Sequence, residues 1–238
     1  MADISPETPN LKAIKARFGK TNNDNGRKLI SELVLMAKAP GQATSQGIPF
    51  HYIIARIIEK LLEENSILAF KENATIPELA WAVRNLMELR VMAKYVCSSK
   101  SRLERFQNDV LITWVTTLER LLELQEALAR EVGGGQGPAA DVYRGLARLQ
   151  KEREAAGLGK EGPLIASQCA KAVKLKGEYD AIGSVTSSLI HPSAHSVLKV
   201  SDLALLEPLL VPKGLLLASK IILEIRDHIQ THGYQPAK

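Results

Sequence analysis

The sequence predicts an all-α fold, a roughly antiparallel bundle of six to eight helices. Three observations carry that expectation. Of the 238 residues, 45% are apolar but only 5% are aromatic, whereas strands of a sandwich or barrel draw on aromatic and β-branched residues. Apolar residues return every three or four positions along much of the chain, the period of a helix with one buried face. Long stretches contain neither Pro nor Gly, among them Ser101 to Glu131.

Taken in order, residues 1–27 read as a poorly ordered basic arm. They hold Pro6, Pro9 and the polar run Thr21-Asn22-Asn23-Asp24-Asn25-Gly26, with Lys12, Lys15, Arg17 and Lys20 supplying charge. A short helix near Leu11–Phe18 is its one structured part. Residues 28–238 read as a single helical domain. Lys28 to Lys38 opens it as a short helix that Ala39-Pro40-Gly41 ends. Pro49 to Phe70 is helical, with Ile53, Ile54, Ile57, Ile58, Leu61 and Leu62 on one stripe. Thr75-Ile76-Pro77-Glu78 fits a capping box with Pro in the first turn. The helix behind it runs to about Val96, inward on Leu79, Val83, Leu86 and Ala93. Arg84 and Glu88 lie four apart on one face of it and can pair.

Ser101-Arg102-Leu103-Glu104 fits a second capping box. It opens a helix to about Glu131 that would be ~45 Å long. Leu103, Phe106, Val110, Trp114, Leu118 and Leu121 keep its period, and a heptad seam with a partner chain is open to it. Gly133-Gly134-Gly135-Gln136-Gly137-Pro138 is a linker by composition and divides the chain into two helical halves. It is no phosphate loop, since no Lys-Ser or Lys-Thr follows. Ala139–Ala156 is amphipathic, Gly157–Gly162 is a loop and Pro163–Leu175 is helical. Glu178–Ile190 is helical but weakened by Gly183 and several hydroxyls, and His191-Pro192 closes it. A short helix spans Asp202–Leu210. The last long one spans Lys213–His232, with Leu216, Leu217, Ile221, Ile222 and Ile225 inside.

The two cysteines, Cys97 and Cys169, are far apart and match no zinc or disulfide pattern, so reduced thiols and a cytoplasmic location are expected. No secretory h-region and no membrane-length apolar run is found, so no membrane partner is expected. The net charge of +5 permits RNA contact through basic residues without requiring it. No cofactor and no metal is expected. His191 and His195 lie four apart, but Pro192 stands between them and no third ligand is evident. Ser187 or Ser193 with His191 and Asp180 names a hydrolytic triad on paper, without the strand-to-helix elbow that exposes such a nucleophile.

The segment from Tyr179 to His195 gathers hydroxyls and two histidines where a helix should be apolar. Arg84-Asn85-Leu86-Met87-Glu88-Leu89, then Phe106-Gln107-Asn108-Asp109, then Tyr179 followed by Ser187-Ser188-Leu189-Ile190-His191-Pro192-Ser193, resembles a family of bacterial all-helical proteins of unknown function. The likeness spans roughly residues 50–232; Gly183 and the Gly-rich break depart from it. It implies that Arg84, Glu88, Tyr179, Ser187 and His191 converge between helices as a ligand-binding group. More remotely, the chain is similar to the HEPN class of bacterial defence and toxin systems. There an Arg and a His close in sequence cleave RNA, the His moving a proton and the Arg holding phosphate charge. Arg226 and His232 fit that loose spacing.

Three functions are therefore open. The first is a non-enzymatic helical binding or regulatory module of a bacterial stress or defence system, with a second copy or another protein as partner. The second is a HEPN-like, metal-independent ribonuclease using Arg226 and His232, or His191 with Arg84. The third is a small-molecule or nucleotide-binding protein with its pocket around His191.

Overall fold

The computed structural model describes residues 10–37, 49–132, 140–190 and 206–235. Among the described residues the protein is an all-α bundle of eight helices, the first of them divided into two labelled parts by a π-helical turn. Helix α1 (Leu11–Ile14) passes through a π-helical turn (Lys15–Gly19) into α2 (Lys20–Ala37) without a break. Then come α3 (Phe50–Phe70), α4 (Ile76–Ser98), α5 (Lys100–Val132) and α6 (Ala140–Ala155). Last are α7 (Ala166–Ala172), α8 (Lys176–Ile190) and α9 (Glu207–His232). The Gly-rich run 133–138 and the His191–His195 segment lie outside the described residues. Among the described residues, no helix is long and apolar enough to cross a membrane.

The chain forms two compact units. The first takes Met1–Lys100 and Ala166–Lys238, the second Ser101–Ile165. This differs from one domain split at the glycines. The boundaries fall at the start of α5 and before α7, and α5 and α6 share the second unit.

In the first unit, α4 is central and packs against α3, α8 and α9. Its start is the capping box read from the sequence: Thr75 accepts from the Glu78 N–H at 3.4 Å, and the Glu78 carboxylate accepts from the Thr75 N–H at 2.8 Å. Lys71 reaches the same carboxylate, and with the Thr75 bonds it pulls the Glu78 pKa down to about 2. The stripe expected on α3 is in the core, with Ile54, Ile58 and Leu61 fully buried.

The polar run at the N-terminus is not an arm. Asn22 and Asn23 are buried, and Asn65 of α3 is completely so. Asn65 donates to Asn23 Oδ1 at 2.7 Å and to the Gly19 carbonyl at 3.4 Å, and accepts from Asn22 at 3.2 Å. Asn22 also donates to the Leu215 carbonyl of α9 at 3.1 Å and accepts from Ser219 at 2.7 Å. These amides satisfy one another, so a sequence too polar for a core helix is ordered by a buried hydrogen-bond network. Gly19 is required at its centre, since a Cβ there would stand 2.5 Å from the Ala69 Cβ.

Two further boundaries differ. α9 is one helix from Glu207 through Pro212, not two. Pro212 lies in its second turn, where it removes a single backbone bond, and burial of Leu210, Val211 and Leu215 offsets that loss. Leu216, expected inside, is 46% exposed. α5 begins at Lys100, so Ser101 stands within its first turn rather than ahead of it as a cap.

In the second unit, α6 bonds to α5 through Gln150–Glu119 at 2.9 Å and Tyr143–Glu126 at 3.3 Å. The Arg153 guanidinium caps the end of α6, donating to the carbonyls of Leu158 at 3.2 Å and Glu161 at 2.6 Å. Asp109 then accepts from the Leu164 N–H at 2.6 Å and clips the loop to α5. α5 buries Ile112, Val115 and Leu122 on one side. On the other it exposes Val110, Trp114, Leu121, Leu124 and Leu128. The period read from the sequence is thus real, but much of its stripe faces outward.

Replacing Asn65 by Ala strands Asn23 Oδ1 and breaks three bonds at a fully buried position. Chemical denaturation should show a loss of about 2–3 kcal/mol. Ser66→Ala, which removes only an exposed bond to the Leu62 carbonyl, should stay within about 0.5 kcal/mol.

Candidate functional site

The inward residues of α4, Val83, Leu86 and Met87, are buried. They leave Arg84 and Glu88 at the rim of that face. Arg84 Nε bonds Glu88 Oε1 at 3.2 Å, and Nη1 donates to Ser187 Oγ of α8 at 3.0 Å. Ser187 is at that edge because its neighbour Thr186 points inward, its hydroxyl bonded to the Ile182 carbonyl at 2.8 Å. Tyr179, two turns earlier on α8, has its pKa raised by burial and by the nearby Glu88 carboxylate, while Arg84 pulls the other way. Arg84, Glu88, Tyr179 and Ser187 therefore occupy facing edges of α4 and α8. His191, the fifth expected member, lies outside the described residues.

Further along the same seam lies a group that the sequence reading missed. Arg90 is 6% exposed. It donates to Glu178 of α8 at 2.6 Å and, through Nε and Nη2, to Glu224 of α9 at 3.2 and 2.7 Å. Lys213 bonds Glu178 at 2.9 Å from α9, and Lys94 lies 3.6 Å from Glu224. Burial works against the Arg90 charge, but Glu224 and Glu178 more than offset it, so its pKa lies above the ordinary arginine value. Burial likewise opposes the Glu178 charge, and Lys213 and Arg90 outweigh it to hold that pKa low. A signal did exist: Arg90 falls seven residues after Val83 and three before Ala93, inside the inward stripe of α4.

Beyond Arg90, α4 and α9 enclose an open hollow of about 390 Å³, lined in part by Lys94, Cys97, Asp227, His228 and His232. The His228 ring stands 4.9 Å from that of His232 and 5.7 Å from that of Phe50. Its Nε2–H donates to the Gln235 carbonyl at 2.7 Å. Burial lowers the His228 pKa and His232 lowers it further, against the Gln235 carbonyl. Burial and the nearby Glu224 push the Cys97 thiol up to about 12, so it is a packing group and not a nucleophile. Among the described residues, no set of three or more His, Cys, Asp or Glu is arranged to hold a metal ion.

Arg226 does not join His232 here. It lines a different hollow, of about 550 Å³, between α2 and α9. Six residues along a helix turn a side chain about 120° around the axis, which separates the two groups.

Compared with known proteins, the chain matches no family model, no curated protein and no solved structure.

Arg90→Ala leaves two carboxylates facing each other across the seam. Because each still reaches water, the expected loss is about 3 kcal/mol in urea unfolding; Arg90→Lys should recover part of it.

His228 gives a pH dependence of known sign. Its folded pKa lies below its unfolded value of about 6.5, so below that pH the unfolded chain takes up more protons. Its contribution is complete above the unfolded pKa and is lost as pH falls through the folded one. The Tm should fall more steeply from about pH 7.5 to 5 in the native chain than in His228→Gln, whose amide stays neutral. Equal slopes would assign the acid sensitivity to other groups.

Proposed function

We propose that this chain is a non-enzymatic helical binding module that pairs with a second copy of itself along α5. The observation that carries the proposal is the exposed stripe of that helix. Val110, Trp114, Leu121, Leu124 and Leu128 follow spacings of four and three once Thr117 fills the missing step. Such spacing keeps one seam facing a partner helix. The five are 41, 58, 47, 64 and 58% exposed. Together they offer about 500 Å² per copy, so a symmetric pair hides about 1,000 Å² before flanking residues are added, the lower bound of a specific interface.

The remote resemblance to the HEPN class of bacterial defence and toxin systems is what supports a stress or defence setting for this module. A HEPN-like ribonuclease would use Arg226 and His232, or His191 with Arg84, at one phosphate. The separate hollows of Arg226 and His232 speak against the first of these pairs. A ligand site on Arg84, Glu88, Tyr179 and Ser187 is the second reading, carried by the Arg84–Ser187 contact across two helices.

Light scattering after size exclusion tests the pairing. The native chain should shift from monomer to dimer between about 1 and 100 µM. Leu121→Glu combined with Leu124→Glu should hold it monomeric with unchanged helical circular dichroism. A monomer throughout, or a dimer that survives the double substitution, overturns pairing along α5.

A further inference from the structure

The hollow of about 550 Å³ between α2 and α9 is lined by Asn25, Lys28, Glu32, Arg226, Gln230 and Tyr234, over Leu29 and Ile229. We propose that it binds a small phosphorylated ligand of nucleotide size. The inference is independent of α5, which contributes nothing to this hollow.

Arg226 carries the argument. It follows Ile225, which is 1% exposed, and is itself only partly exposed. Among the described residues, no carboxylate lies within ion-pair distance of it. Arg90, in contact with the same α9, is enclosed by two carboxylates. Lys28 supplies a second cation on the facing helix. Glu32 follows Lys28 by one turn yet forms no ion pair with it. The hollow therefore holds two unneutralised cations against one carboxylate, a net positive cleft between low-dielectric walls.

The chemistry around these cations selects the anion. A guanidinium presents a planar fork that matches two phosphate oxygens, and a lysine ammonium adds a point charge. Asn25 and Gln230 offer amides that donate and accept, suited to sugar hydroxyls. Tyr234, just beyond the end of α9, adds an aromatic face on which a base stacks. A volume of about 550 Å³ lies within the range of sites for molecules of this size. A bare anion uses the cations alone, whereas a nucleotide also uses the amides and the ring.

Isothermal calorimetry at constant ionic strength tests this on the full chain, with ADP, adenosine and inorganic phosphate as probes. ADP should bind saturably, phosphate more weakly and adenosine weakest. Arg226→Gln should weaken ADP at least about tenfold, and Lys28→Gln should weaken it less. Neither residue has a partner to lose, so both variants should melt with the native chain. Tyr234→Ala should weaken ADP while leaving phosphate unchanged. ADP binding that is unaltered in Arg226→Gln overturns the proposal. So does the absence of saturable binding by both ADP and phosphate at about 1 mM. Binding of a single-stranded RNA oligonucleotide without ADP binding also overturns it, in favour of a polymer-phosphate surface.

Discussion

The first unit depends on one buried charge. Arg90 sits in the inward stripe of α4, where a guanidinium without partners would oppose folding by several kcal/mol. It is tolerated because α8 brings Glu178 and α9 brings Glu224 to within 2.6 and 2.7 Å. Apolar side chains alone would let α8 and α9 slide along α4 by a turn at modest cost, since Leu, Ile and Val exchange places in a core with little penalty. A fork with two carboxylates from two helices does not slide. It sets the register of both against α4, and so sets which residues meet elsewhere on that seam. Ser187 reaches Arg84 at one end, and His228 and Cys97 line one hollow at the other. The candidate sites are consequences of where Arg90 is satisfied.

The asparagine network does the same at the opposite side of α9. Asn22 links α2 to the Leu215 carbonyl and to Ser219, and Asn65 links α3 to the Gly19 carbonyl at the end of the π turn. A widened turn presents its carbonyls off the regular ladder, where a side-chain amide from another helix can reach them. Gly19 lets α3 approach closely enough for that bond. Polar groups that would disfavour burial singly become acceptable as a closed set, and they make the packing unique rather than merely compact.

These two networks also explain what the sequence could and could not reveal. Local signals were legible. The Thr75–Glu78 box and the α3 stripe are readable because their causes lie within a few residues of each other. The polar run from Thr21 to Gly26 was misread as an arm because its partners, Asn65, Leu215 and Ser219, lie far along the chain. Amides that cap and saturate one another look, one at a time, like loop residues. Arg84 and Glu88 were legible as a helical pair, whereas Glu178 and Glu224 as partners of Arg90 were not. The gap expected between Leu210 and Lys213 is absent because the cost of Pro212 is local and the burial that offsets it is not. The second compact unit, Ser101–Ile165, was not legible for a related reason: a unit boundary is a break in packing, and packing partners lie far along the chain.

The second unit poses the opposite problem. Single exposed apolar residues are ordinary on any protein surface. Five of them at heptad spacing on a 33-residue helix are not scattered singly, since an irregular surface has no reason to keep a period of 3.5. A unit of two helices and a clipped loop has few faces with which to cover such a helix, and α5 already buries Ile112, Val115 and Leu122 on its other side. Helices with two apolar faces need a third layer. An identical helix meets that need without a second set of complementary residues, because a seam of Leu and Trp is complementary to itself under a two-fold axis. The charges at Arg90 therefore hold the first unit together from within, while the exposed apolar seam of α5 is the feature of the second unit on which the proposed pairing rests.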